Sequence, residues 1–86
     1  MEELQTLRQQ INEIDMQLLS LLAKRFQLVS EIGTHKKVQN IEIQDKQREE
    51  EILEALNQKA KEYHLDKNLV QTIWRAIFNQ AYLIEQ

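Results

Sequence analysis

The sequence contains no cysteine and no proline, and Gly33 is its only glycine. Without cysteine, the chain has neither a disulfide framework nor a thiolate metal site. So few turn-forming residues argue against an all-β fold, because each pair of strands needs a turn between them. No apolar run approaches the length that spans a membrane. Helix formers such as Leu, Glu, Gln, Lys and Ala dominate instead, and they predict an all-α fold.

The chain also lacks an excess of positive charge. Its formal net charge is −3, and its basic residues are interspersed with acidic ones. Binding to nucleic acid is not expected, because phosphate contacts need a clustered basic face. The beginning of the chain lacks the basic and apolar profile of a signal peptide, which predicts a cytoplasmic protein without a membrane partner. We expect any anionic ligand to be small and held by a few cations.

The first half of the chain has the apolar pattern of one long amphipathic helix. Apolar residues recur at spacings of three and four from Leu4 to Ile32. Gly33 costs a helix about 1 kcal/mol relative to alanine, which weakens the pattern without ending it. Asp45 and Asp66 are plausible N-caps of two further helices. We predict a single domain over residues 1–86, with helix 1 over 3–38, a loop over 39–45, helix 2 over 46–63 and helix 3 over 67–85.

Helix 1 is too long for a compact monomer. It would span about 50 Å at 1.5 Å per residue, whereas a globule of this chain length is roughly 30 Å across. The two shorter helices would cover only part of its apolar stripe. We therefore expect a second copy to cover the rest, giving an intertwined homodimeric helical bundle.

Three cations lie on the apolar stripe of helix 1. Arg8 aligns with Leu4 and Ile11, whereas Arg25 and Lys36 point nearly the same way three turns apart. Such charges are costly in a core unless they are paired. For any one of them, the simpler interpretation is that the stem packs and the charged head reaches water. Three together favour a binding site.

The spacing of these cations indicates how they could cooperate. Arg8 and Arg25 are about 25 Å apart along the helix axis, too far for one small metabolite to contact both. If both serve one site, one arginine must come from the other subunit. Arg25 and Lys36 are about 16 Å apart, and their long side chains could bracket a ligand roughly 6–8 Å wide.

Two further groups place carboxylates near these cations. Asp45, Arg48 and Glu49 share one face at the start of helix 2; the alternative is an N-cap with a surface ion pair. Glu85 falls on the apolar face of helix 3. The alternative for Glu85 is fraying into solvent, because it is the penultimate residue.

The chain resembles the AroQ-class, all-helical (type II) chorismate mutases over nearly its whole length. The resemblance is carried by residues 7–15 (LRQQINEID), 22–25 (LAKR), 31–36 (EIGTHK) and 45–49 (DKQRE). Six positions match the functional pattern of the family without a gap: Arg8, Arg25, Lys36, Asp45, Arg48 and Glu49.

The resemblance implies an intertwined dimer that converts chorismate to prephenate in phenylalanine and tyrosine biosynthesis, without metal or cofactor. Arg25 and the partner subunit's Arg8 would bind the two carboxylates of chorismate. Lys36 would donate to the ether oxygen of the breaking bond. Glu49, assisted by Asp45, would bind the ring hydroxyl. Bidentate arginine–carboxylate pairs supply orientation as well as energy.

Arg48 would support the wall near Glu49. Two other positions, Glu85 and Ala81, depart from the pattern of the family. Where this chain has Glu85, many relatives have a glutamine, and the amide of that glutamine donates a second hydrogen bond to the ether oxygen. An ionised glutamate cannot donate, so we expect Glu85 to be protonated in the complex and turnover to fall as pH rises. Ala81 replaces a residue that is often polar near a substrate carboxylate, so one contact is expected to be missing.

Three other functions compete with the mutase. An isochorismate pyruvate lyase has a similar fold, but its substrate carries the hydroxyl elsewhere on the ring, so Asp45 and Glu49 favour the mutase. A non-catalytic domain that senses chorismate or prephenate is a second alternative. A purely structural helical dimer is the third, in which Arg25 and Lys36 would bind no ligand.

Overall fold

The computed structural model describes residues 1–86 as three α-helices without strands. Helix α1 spans Glu2–Gln39, α2 spans Lys46–Glu62 and α3 spans Lys67–Glu85. The predicted all-α class is confirmed, and α1 continues through Gly33 without a break. No helix has the length and apolar character required to cross a membrane.

The end of α1 lies one residue beyond the predicted position. Gln39 is helical and the loop begins at Asn40, which has left-handed backbone angles (φ 58°, ψ 42°). Asparagine tolerates this conformation better than most residues. The Ile41 amide donates to the Lys36 carbonyl at 2.8 Å and closes the last turn. This backbone closure carries no apolar signal, so the pattern placed the loop too early.

Side-chain caps begin the other two helices as predicted. The Asp45 carboxylate accepts from the Arg48 amide at 3.0 Å, and the Asp66 carboxylate accepts from the Leu69 amide at 3.2 Å. Each cap satisfies an amide that has no partner within its helix. The Asp45 cap fixes where the first turn of α2 begins, and therefore which side of α2 carries Glu49.

The small core lies around α3, which packs against both α1 and α2. The buried residues include Val29 and Gly33 of α1 and Ala60 of α2. Five residues of α3 are also buried, namely Val70, Ile77, Phe78, Ala81 and Glu85. The only one of these that carries a charge is Glu85, at the end of the helix nearest the C-terminal half of α1. The core therefore holds α3 against the second half of α1.

The first half of α1 packs against nothing within the chain. Every residue from Met1 to Leu21 is exposed, and the molecule measures 57 × 25 × 15 Å. Its radius of gyration is 16.4 Å, against about 12 Å for a compact domain of this length. Apolar side chains line the exposed half, among them Leu4, Leu7, Ile11, Ile14, Leu18 and Leu21. A single chain thus leaves a long apolar face uncovered.

Candidate active site

A cavity of about 480 Å³ lies where the second half of α1, the loop after it, the start of α2 and the end of α3 meet. Its apolar wall includes Leu28, Val29, Ile32, Ile52 and Phe78. Seven of the eight site residues singled out in the sequence also line it: Arg25, Lys36, Asp45, Arg48, Glu49, Ala81 and Glu85. The size suits a small metabolite, and cations and carboxylates face one another across an apolar floor.

Lys36 and Glu85 form a largely buried ion pair in this cavity. The Lys36 Nζ lies 3.2 Å from Glu85 Oε2, and the two side chains are only 18% and 7% exposed. The same ammonium donates to the Ile43 carbonyl at 2.7 Å. An ammonium has three N–H donors, so one remains to point at a ligand. A carboxylate and a backbone carbonyl on two other segments therefore fix Lys36, and Glu85 does not fray into solvent.

Gly33 sets the distance between α1 and the end of α3. A Cβ atom at Gly33 would lie 2.9 Å from the Cα of Glu85 and 3.3 Å from its Cβ and Cγ. Real Cβ atoms do not approach backbone so closely, so any larger residue must push α3 away. The bare helix surface at Gly33 thus allows Glu85 to reach Lys36.

We expect Gly33→Ala to damage the site despite the better helix propensity of alanine. Overpacking costs about 1–3 kcal/mol, which exceeds the gain of about 1 kcal/mol in helix propensity. Moving Glu85 by a few tenths of an ångström should lower kcat/KM roughly tenfold, because catalysis depends on fixed geometry. Thermal unfolding and steady-state kinetics test both effects. Ser30→Ala, one turn earlier on an exposed position, is the control, and equal behaviour of the two variants would refute the role of Gly33.

The start of α2 supplies the opposite, acidic wall. Glu49 is half-buried, whereas the exposed Asp45 already uses one carboxylate oxygen for the helix cap. The Arg48 guanidinium lies at the rim with 66% of its side chain exposed, and pairs with Glu51 at 3.6 Å. It makes no ion pair with Glu49, so Arg48 contributes to the edge of the cavity rather than to its floor.

Tyr82 also lines the cavity, although its residue type and position did not predict a site residue. Burial, followed by the neighbouring Glu49 carboxylate, raises the pKa of Tyr82 to about 12. The phenol therefore stays neutral and able to donate. Tyr82 lies four residues after Phe78 and three before Glu85, so helical spacing places all three on one face. That spacing was the available signal.

Arg8 is the predicted site residue that the cavity does not include. It is exposed on the first half of α1, about 25 Å along the helix axis from Arg25. Because both lie on one continuous helix, the two arginines of one chain cannot reach the same small ligand. Arg25 is therefore the only arginine on the α1 wall of this cavity.

The family of the chain follows from comparison with known sequences. Residues 7–86 match the family model of type II chorismate mutase. The chain belongs to the type II chorismate mutases. The match includes all eight site positions, from Arg8 to Glu85, and confirms the resemblance that the sequence motifs indicated.

The known proteins that are similar to this chorismate mutase differ greatly in length. The chain is 33% identical over 85 residues to the chorismate mutase of Methanocaldococcus jannaschii, with 99% of this chain and 86% of that protein covered. It is 34% identical over 80 residues to the bifunctional chorismate mutase/prephenate dehydratase of Escherichia coli, covering 93% of this chain but 21% of that protein. The T-protein of Haemophilus influenzae is 32% identical over 85 residues. The chain thus spans about a fifth of the length of the Escherichia coli and Haemophilus influenzae relatives.

Proposed function

We propose that the protein converts chorismate to prephenate by an intramolecular [3,3] rearrangement. The observation that carries the proposal is the ammonium of Lys36, which Glu85 and the Ile43 carbonyl hold at the edge of a largely apolar cavity. The reaction needs no nucleophile and no redox centre. It needs a substrate held in a folded, chair-like geometry and stabilisation of the negative charge that grows on the ether oxygen.

Lys36 is suited to the electrostatic part of this task. A preorganised cation acts more strongly in a site that excludes water than in bulk solvent. Because its position is fixed before the substrate binds, little reorganisation is required as the bond breaks. One such donor typically contributes about 3–4 kcal/mol to stabilising the transition state.

The substrate carries two carboxylates, and we assign one of them to Arg25, the only arginine on the α1 wall of the cavity. We assign the second carboxylate to Arg8 of a second subunit in a homodimer. The uncovered apolar face of α1 supports this assignment, since contiguous exposed apolar surface of this length marks an interaction site. A two-fold pair is the commonest way for a chain to cover such a face. Chorismate and a second copy of the chain are thus the proposed partners.

The acidic wall supports chorismate over isochorismate. Glu49, with Asp45 beside it at the first turn of α2, is assigned to the ring hydroxyl of chorismate. Isochorismate carries that hydroxyl at a different ring position and would leave the Glu49 carboxylate without this partner. Leaving a buried polar group unpaired is what makes such sites selective.

An assay on both substrates tests the proposed function. The purified protein should consume chorismate and release prephenate, with little pyruvate formed from isochorismate. Pyruvate release from isochorismate as the faster reaction would identify a lyase instead. Thermal stabilisation by chorismate without any turnover would identify a sensing domain, and the absence of both would leave a structural dimer.

Replacing Glu85 should change the pH dependence of turnover. A charged Glu85 would repel the developing ether oxyanion and could not donate to it. The active complex therefore requires a proton on Glu85, so kcat/KM of the wild type should fall as pH rises. Glu85→Gln supplies an amide donor at every pH and should flatten the profile. Rates measured from about pH 5 to pH 9 test this, and identical profiles would contradict it.

A further inference from the structure

The loop over residues 40–45 is tied to Lys36 at two points. The Lys36 carbonyl accepts from the Ile41 amide at 2.8 Å, and the Lys36 ammonium donates to the Ile43 carbonyl at 2.7 Å. The second bond is partly buried, and Ile43 itself is half-buried and lines the cavity. The path of this loop therefore decides where the ammonium points.

Asn40 sets the path of the loop through its backbone. Its angles are left-handed (φ 58°, ψ 42°), and its amide donates to the Lys37 carbonyl at 3.3 Å. Its side chain is exposed, and no side-chain hydrogen bond of the chain involves it. Glycine and asparagine adopt such angles at lower cost than other residues, and β-branched residues adopt them at the highest cost. What Asn40 contributes is thus a backbone conformation, which returns the chain toward Lys36.

The Ile43 carbonyl has a property that the other acceptor of Lys36 lacks. In the proposed active complex Glu85 carries a proton, and a protonated carboxyl is no longer a charge partner for an ammonium. A backbone carbonyl stays neutral, so its hydrogen bond does not depend on the protonation of Glu85. The loop is therefore the segment that fixes the ammonium when Glu85 is neutral.

We propose that Asn40 is a positioning residue for the catalytic ammonium. Its left-handed backbone turns the loop so that the Ile43 carbonyl holds Lys36 and leaves an N–H free for the ether oxygen of the substrate. Asn40 does not line the cavity, so it acts only through Lys36. This inference rests on the proposed function, because the ether oxygen is the target that the proposed reaction gives to Lys36.

The test compares Asn40→Val with Asn40→Gly, because glycine adopts the left-handed angles readily and valine resists them. Asn40→Val should lower kcat for chorismate about tenfold and change KM little, since Lys36 acts on charge that appears only as the bond breaks. Asn40→Gly should keep kcat within about twofold of the wild type. Gln39→Val is the matched control, because Gln39 is exposed and helical, and it should also keep its kcat.

A second background separates positioning from folding. In the Lys36→Ala background, Asn40→Val should cause no further loss of the residual activity, because the two residues act through one contact. A loss of the same size in both backgrounds would mean that Asn40 supports the fold in general. An unchanged kcat in Asn40→Val, or an equal loss in Asn40→Gly, would overturn the role of the left-handed backbone.

A measurement without substrate separates this inference from the proposed function. Ammonium protons held by partly buried acceptors exchange with water more slowly than those of an exposed lysine such as Lys37. The nitrogen NMR signal of the Lys36 ammonium, identified by its absence in Lys36→Ala, should be sharp in the wild type and Asn40→Gly and broadened in Asn40→Val. An active wild type whose signal and kcat are unaffected by Asn40→Val refutes only the role of Asn40. A wild type that shows this pattern of signals but does not consume chorismate refutes the proposed function and supports the hold of the loop on Lys36.

Discussion

Lys36→Ala should lower kcat/KM for chorismate by about 100- to 1000-fold, the usual loss when one preorganised donor to a developing oxyanion is removed. KM should change less than kcat, because the ether oxygen gains its negative charge only as the bond breaks. The neighbouring Lys37 is exposed on the last turn of α1. Lys37→Ala is therefore the control for removal of a positive charge, and it should keep full activity.

A second variant separates catalysis from folding. Lys36→Ala leaves the buried Glu85 carboxylate without its partner, which should destabilise the fold by about 3 kcal/mol. Adding Glu85→Gln removes the stranded charge and should recover most of the melting temperature. The double variant should remain inactive, because the cation is still missing. Recovery of activity together with stability would show that Lys36 acts through the fold alone.

Mixing two inactive variants should restore activity if two chains share each site. Arg8→Ala and Arg25→Ala should each lose at least about 100-fold in kcat/KM, because each removes one bidentate carboxylate contact. In a mixed dimer, one site lacks both arginines and the other has both. After joint unfolding and refolding in equal amounts, half the dimers are mixed, so about a quarter of wild-type activity should return in a two-fold assembly.

The control for this experiment uses two residues on the same side of the site. Arg25 and Lys36 line the cavity of one chain, so a mixture of Arg25→Ala and Lys36→Ala contains no intact site and should stay inactive. Recovery of activity in this control would mean that Arg25 and Lys36 of one site come from different chains, so that the site is not divided between chains as proposed. Failure of the Arg8 and Arg25 mixture to recover would have the same meaning.

Local signals in the sequence accounted for the helices and for much of the cavity. The caps at Asp45 and Asp66 are short-range hydrogen bonds whose residue types are visible in the chain. The register of Arg25 and Lys36 on α1 follows from helical geometry alone. These predictions required no knowledge of how the helices pack.

Contacts between distant segments could not be predicted in the same way. The closure at Asn40 depends on backbone angles, and the approach of Gly33 to Glu85 depends on how α3 crosses α1. The Ile43 carbonyl has no side-chain signature, yet it holds Lys36. Tyr82 was not predicted as a site residue because only the fold brings it into the same cavity as Glu49.

The central claim is that a second copy of the chain covers the exposed face of α1 and completes the cavity. Sedimentation velocity on the unmodified protein at low concentration tests this claim most directly. We expect a particle of about twice the 10.3 kDa mass of the chain, because covering a long apolar face strongly favours association. A stable, folded particle with the mass of one chain, still active on chorismate, would contradict it.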